Sequence, residues 1–351
     1  MRAPLQETIP DVESAEFALS GLADRGLLTT RRLADFQDDT GLADLAWRVT
    51  WNRSALAEAG GDYRSLMRRT QGFVVFMHGW CASGAVWEHV PELTCAANPR
   101  LVALTPDLDG FGKSPFLADV PTLEQCHPSA MMQTVTNWVE LLGLRSSARA
   151  RCRRRVITFV GHSMGGAALF YLREQGWHEN EFARCAVAPA LLVRDDLRQE
   201  FYHALGVGEW DKKKVDELKS SLTPRVVLEL LGAVNEMAQA EHLRIFENTP
   251  RGILAQTFYS MGATLGKLGR ANRRNFHVIL AHDDRMLKVG KMLGLLDDLG
   301  LAPHQVQVVA GDHYLYSASD ENRHHLRNRE ILLGEILYLH EVCRERQRTA
   351  A

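Results

Sequence analysis

Hydrophobic positions change rhythm at residue 73. From there the chain offers short apolar runs rich in β-formers: FVVFM (73–77), LVALTPD (101–107), RVITFVG (155–161), ARCAVAPALL (183–192), NFHVILAHDD (275–284) and HQVQVVAGD (304–312). Runs apolar on both faces suit strands covered on both sides. Helical segments lie between most of them. MMQTVTNWVELL (131–142) places Met131, Val135, Trp138, Val139 and Leu142 on one stripe, and ILLGEILYLHEV (331–342) behaves likewise. The alternation predicts an α/β fold with a mostly parallel central sheet flanked by helices.

Two stretches depart from it. Residues 11–37 read as two short helices, the first stopping at Gly26 and the second capped by Thr30, and LAWRVTWN (45–52) alternates like a strand. Residues 193–275 are charged, helical and strand-poor, too long for a structureless loop inside a domain. They read as a helical cap inserted between two core strands. The expected organisation is an N-terminal helical extension with a first strand region over 1–55, a core over 56–192 and 276–351, and the cap over 193–275.

Candidate chemistry sits where strands end. Gly161-His162-Ser163-Met164-Gly165 follows VITFV and precedes GGAALFYLREQ. GxSxG alone is weak, but a strand–turn–helix setting gives it meaning: small flanking residues permit a tight turn that lifts the serine hydroxyl above the sheet. The following helix directs free N–H groups at developing negative charge. His78-Gly79-Trp80 follows FVVF, so the backbone amides of Trp80 and Met164 are candidate oxyanion donors. Trp80 is also a candidate wall of the acyl pocket, and His78 reads as a brace for its loop.

A serine hydroxyl needs a base. Of 14 histidines, His313 stands just after the last core strand, where a loop can carry it over the serine. His282, His203, His242, His324 and His325 are weaker candidates. The base needs a carboxylate. Strand 275–284 ends in Asp283 and Asp284; Asp284 is favoured, Asp283 stays open, and Asp195 or Asp196 are further sources.

Composition adds mainly exclusions. Lys plus Arg (41) balances Asp plus Glu (43), and a net charge of -2 gives no bulk attraction to nucleic acid or anionic lipid. The basic run RARCRRR (149–155) reads as a solvated turn before a strand. No apolar run is long enough to span a membrane, and the N-terminus lacks a signal-like h-region. Six scattered cysteines show neither CxxC spacing nor the density of a disulfide scaffold, which favours a reducing cytoplasm. GxGxxG and GxxxxGK[ST] are absent from strand-to-helix contexts.

HGWCASGAVW (78–87), DLDGFGKS (107–114), GHSMGG (161–166), AHDDRM (281–286) and GDHYLY (311–316), in this order, resemble the α/β-hydrolase superfamily, in particular its cap-bearing esterases, lactonases and carbon–carbon bond hydrolases. The resemblance spans about residues 73–340 apart from the cap. It implies the α/β-hydrolase fold, a triad of Ser163, Asp284 and His313, oxyanion donors at Trp80 and Met164, and no metal or organic cofactor. Two positions depart from the pattern, Ala281 and Asp312 standing where the family often has glycine. The expected activity is hydrolysis of a small-molecule carboxylic ester with an apolar acyl or alcohol part, through an acyl-enzyme on Ser163. Serine, rather than a carboxylate, argues against dehalogenase or epoxide-hydrolase chemistry. Tyr202, Trp210, Phe258, Tyr259 and Met261 of the cap are candidate pocket residues. A carbon–carbon hydrolase or lactonase, an acyltransferase and a non-catalytic binding scaffold are the competing readings. The extension is free to serve as a lid, as packing for the first strands or as a homodimer contact.

Overall fold

The computed structural model describes residues 9, 11–119, 121–122, 124–144, 155–172, 177, 181–191, 219–231, 234–261, 273–319 and 322–349. The strands are β1 (Val12–Ala18), β2 (Ala46–Asn52), β3 (Gly72–Met77), β4 (Leu101–Pro106), β5 (Val156–His162), β6 (Phe182–Val187), β7 (Phe276–Ala281) and β8 (Val306–Val309). They form one eight-stranded sheet in the order β1-β2-β4-β3-β5-β6-β7-β8. β1 and β2 run antiparallel, as do β2 and β4, and every pairing from β4 to β8 is parallel. The α/β fold expected from the sequence is the fold observed.

Two groups of helices cover the sheet. Val90–Ala97 packs on β2 and β4 and touches His325–Thr349, which lies along β5 and β6. Thr30–Thr40, Pro128–Leu141 and Met164–Ala168 form the second group, the last resting on β5 and β6. β3 to β6 are buried at every position, as their unbroken apolar sequences require. Trp47 of β2 meets Trp138 edge-on at 5.3 Å, joining the antiparallel end of the sheet to Pro128–Leu141.

The reading of residues 11–37 as two helices needs correction. VESAEFA is strand β1, not helix. Its apolar residues fit either period, and the partner decides: the register sets Phe17 opposite Trp47, stacked at 5.9 Å, and Ser14 opposite Thr50, their hydroxyls 2.8 Å apart. Helix appears only over Leu19–Asp24 and Thr30–Thr40. The second is capped by Thr29 rather than Thr30, its hydroxyl accepting from the Arg32 N–H. Two strands of the sheet thus come from the first 55 residues.

Between β6 and β7 lie the helices Pro224–Leu231, Glu236–Asn248 and Arg251–Ser260. Residues 149–154 of the basic run fall outside the described residues; Arg155 stands over the Phe73 ring. Among the described residues no helix is long and apolar enough to cross a membrane.

Candidate active site

The parallel strands all point their carboxyl ends to one edge, and the predicted chemistry gathers there. β5 runs directly into Ser163, whose backbone adopts φ 51 and ψ −114. A side chain in that region is costly and must be held by its surroundings. The Ser163 N–H donates to the Val187 carbonyl of β6 at 2.9 Å, and the Ser163 carbonyl accepts from Ala167 and Ala190, both at 2.9 Å. The flanking glycines are obligatory. A Cβ on Gly161 would lie 2.3 Å from the Gly165 carbonyl oxygen, and one on Gly165 would lie 2.5 Å from that of Met77. Both obstacles are backbone and cannot swing aside.

β7 delivers the acid and the loop after β8 the imidazole. Asp284 Oδ2 accepts from His313 Nδ1 at 2.7 Å, and each side chain is 2% exposed. Asp284 Oδ1 accepts from the backbone amides of Met286 and Leu287, both at 2.9 Å. Since Asp284 accepts in all three of these bonds, the proton rests on His313 Nδ1 and Nε2 carries the free lone pair. His162, the neighbour of Ser163, donates from Nε2 to the His313 carbonyl at 3.1 Å, and the two rings lie 4.8 Å apart. Asp284 and His313 therefore pair at the sheet edge that carries Ser163, with His162 linking the histidine loop to the serine turn.

Asp283, by contrast, is exposed and bonds His282 Nδ1 at 2.7 Å; this contact holds its carboxyl below the usual range. Asp312, at a position where the family often has glycine, accepts from the His313 N–H at 2.7 Å and ion-pairs with Arg285 at 3.5 Å. His78 donates from Nδ1 to the Gly79 carbonyl at 2.7 Å while Nε2 accepts from the Leu108 N–H at 2.7 Å. Both of its nitrogens are occupied in tying the loop after β3 to the loop after β4. His242 donates from Nδ1 to the Cys81 carbonyl at 2.7 Å. His324 is exposed and His325 bonds the Asn322 carbonyl, while His203, Asp195 and Asp196 lie outside the described residues.

Gly79 brings the loop after β3 against the serine: a Cβ there would stand 3.1 Å from Ser163 Cβ. The next residue is Trp80. Among the described residues neither the Trp80 nor the Met164 backbone N–H has a hydrogen-bond partner, so two donors flank the serine unengaged. The Trp80 indole N–H donates to the Leu254 carbonyl at 3.0 Å, and its ring meets Phe258 edge-on at 5.2 Å. Phe258 and Met261 are buried and Tyr259 half-buried. Tyr202 and Trp210 lie outside the described residues.

Burial sets the protonation of the neighbouring groups. Burial, with His313 next in importance, holds the His162 imidazole well below its ordinary range, and burial lowers His242 to about 4. Both imidazoles are neutral at pH 7. Burial raises the Asp109 carboxyl to about 7 and the Cys81 thiol to about 12, so Cys81 is a thiol, not a thiolate nucleophile.

Sequence reasoning passed over the residues that hold the His313 loop. Glu88 accepts from Ser317 Oγ at 2.6 Å, Asn235 Nδ2 at 2.7 Å and the Ala318 N–H at 3.3 Å, and it pairs with the buried Arg329. Asn322 donates to the carbonyls of Leu315 and Ser317, and Asn328 to those of Ala310 and Leu315. Glu88 gives no local signal, because its partners come from three remote segments. The only hint is polar residues interrupting an apolar neighbourhood after His313.

A family model described as "Alpha/beta hydrolase family" matches residues 74–323. Similar solved structures include an epoxide hydrolase, CorEH, 13% identical with a TM-score of 0.55, covering 93% of this chain and 100% of that one. A bromoperoxidase from Bacillus anthracis is 18% identical with a TM-score of 0.54, covering 84% and 95%. An esterase from Exiguobacterium antarcticum is 15% identical with a TM-score of 0.52, covering 78% and 92%. At such identities the likeness is one of fold. No curated protein matches the chain in sequence.

Proposed function

Because the chain belongs to the alpha/beta hydrolase family, we propose that it is a serine hydrolase that cleaves a small carboxylic ester. Ser163 is the nucleophile, His313 the base and Asp284 the acid that orients it. The observation that carries this reading is the buried 2.7 Å bond between Asp284 and His313 beside a serine in a strained turn.

In this reading His313 Nε2 takes the proton of Ser163 Oγ as the oxygen attacks the substrate carbonyl. Asp284 steadies the imidazolium, and the amides of Trp80 and Met164 receive the oxyanion. The imidazolium then protonates the leaving alcohol. Water, deprotonated by the same nitrogen, attacks the acyl-enzyme and releases the acid. Two amide donors standing without partners support the oxyanion role. A hydroxyl nucleophile favours acyl transfer over epoxide opening.

The contact of Phe258 with Trp80 supports an apolar wall and hence an ester with an apolar acyl or alcohol part. A cytoplasmic setting accords with this reading.

A fluorophosphonate probe and a panel of p-nitrophenyl esters from acetate to decanoate test the proposal. The native protein should label at Ser163 and hydrolyse at least one ester, and Ser163→Ala should do neither. A native, folded protein that neither labels nor turns over any ester would refute it.

A further inference from the structure

The starting edge of the sheet, opposite the candidate active site, holds a cavity of about 760 Å³. It lies where β7 and β8 begin, beneath the last turns of His325–Thr349. Arg273, Arg274, Arg346, His277 and His304 line it, with Tyr338, and no carboxylate is among its described lining residues. Its size falls within the range of small-molecule sites.

Two arginines matter most. Arg273 and Arg346 are both half-buried, and among the described residues neither forms an ion pair with a carboxylate. Neutral groups hold them instead. Arg273 donates from Nη1 to the Gly300 carbonyl at 3.2 Å, and Arg346 donates to Asn275 Oδ1. Gln305 pins the backbone of this corner by donating to the carbonyls of Arg273 and Phe276. Gly300 makes the Arg273 placement possible, since a Cβ there would come within 2.8 Å of Nη1.

Guanidinium groups fixed by neutral acceptors are oriented but not neutralised. Partial burial without a counter-charge costs stability unless an anion completes the site. Arg346 stands in the last turn of its helix, where the dipole offsets part of its charge. Arg273 has no such relief. Glu335 pairs with His277. The planar fork of arginine matches phosphate and leaves donors on each side chain beyond those already used.

We propose that this cavity binds a small phosphorylated compound, gripped by Arg273 and Arg346. A small molecule fits better than an extended polyanionic surface because the neighbouring cavity at the same edge mixes Glu58 and Glu341 with Arg100, Arg344 and Arg348, which interrupts the positive charge. The site is independent of the hydrolytic reading.

Calorimetric titration of the full-length protein with inorganic pyrophosphate in low salt tests this. Saturable binding is expected, retained in Ser163→Ala and weakened at least about tenfold in Arg273→Gln/Arg346→Gln. Circular dichroism establishes that the double variant is folded. Should it not fold, the single variants Arg273→Gln and Arg346→Gln serve in its place, and each must weaken binding. Absence of saturable heat up to about 10 mM, a threshold of very weak affinity, would overturn the proposal. So would unchanged binding in the folded variant, or duplex DNA binding more tightly than pyrophosphate.

Discussion

Asp284→Asn is the substitution whose consequence the geometry specifies most closely. The side chain is nearly isosteric, so its placement is settled by its neighbours. Oδ1 of the native residue accepts from two backbone amides, Met286 and Leu287, at 2.9 Å each. In the asparagine the carbonyl oxygen must keep that position; the flipped amide would face N–H against two N–H donors and forfeit about 1 kcal/mol for each lost bond. The NH2 group is then forced onto His313 Nδ1. A donor there drives the imidazole proton to Nε2, the nitrogen proposed to deprotonate Ser163. The base is thereby disabled without being removed. In the well-studied serine protease triad the same change costs ~10⁴ in kcat, equivalent to about 5.5 kcal/mol of barrier. We expect a loss of that order here, with KM little altered. The assay is steady-state hydrolysis of the best p-nitrophenyl ester, with Asp283→Asn in parallel. Asp283 is exposed and bonded to His282, so its variant should lose less than about threefold, the scale of a screened surface contact. Retention of more than about a tenth of native kcat by Asp284→Asn, far from the expected scale, would refute the reasoning. Comparable losses in both variants would do the same.

Acid should destabilise the fold. Burial holds His242 at about 4 and His340 at about 3, and His162 well below the ordinary 6.5. Their contribution is complete above pH 6.5 and is lost as the unfolded chain takes up protons that the folded chain refuses. At pH 5 His242 and His340 each forfeit about 2 kcal/mol and His162 adds to the loss, while Asp109, raised to about 7, returns about 3. The net loss should appear as a lower urea midpoint at pH 5 than at pH 7.5, and equal midpoints would contradict it. Arg329→Met leaves Glu88 buried without its cation and should cost about 3–5 kcal/mol by urea unfolding; a loss under about 1 kcal/mol would mean that the pair does not hold the His313 loop. Gly161→Ala meets backbone at 2.3 Å and should abolish soluble, folded protein, whereas Gly294→Ala, with open space around it in Val289–Asp298, should gain up to ~1 kcal/mol in thermal or urea unfolding. Equal behaviour of the two glycine variants would remove the steric argument for the turn.

The fold was legible because its determinants are local. Six apolar runs and the helices between them carry their periodicity in neighbouring residues, and a parallel covered sheet is what such runs require. The serine turn was legible for the same reason: Gly161, Ser163 and Gly165 fall within one five-residue motif directly after an apolar run. His313 and Asp284 were picked from strand ends, where the topology of a parallel sheet collects side chains at one edge.

What the residues could not declare were choices made by remote partners. VESAEFA suits helix or strand by its own pattern, and β2, some thirty residues later, turns it into an edge strand by offering hydrogen bonds and a tryptophan face to Phe17. Between Asp283 and Asp284 the sequence favours the second and leaves the first open; burial and the His313 imidazole separate them. Glu88 binds Asn235, Ser317 and Arg329, three points that no window of sequence contains. Local periodicity determined the elements and the turn that carries Ser163. The partners of each buried charge were decided only by tertiary structure, because desolvation makes a polar group answer to whatever folds against it, however far away in the chain.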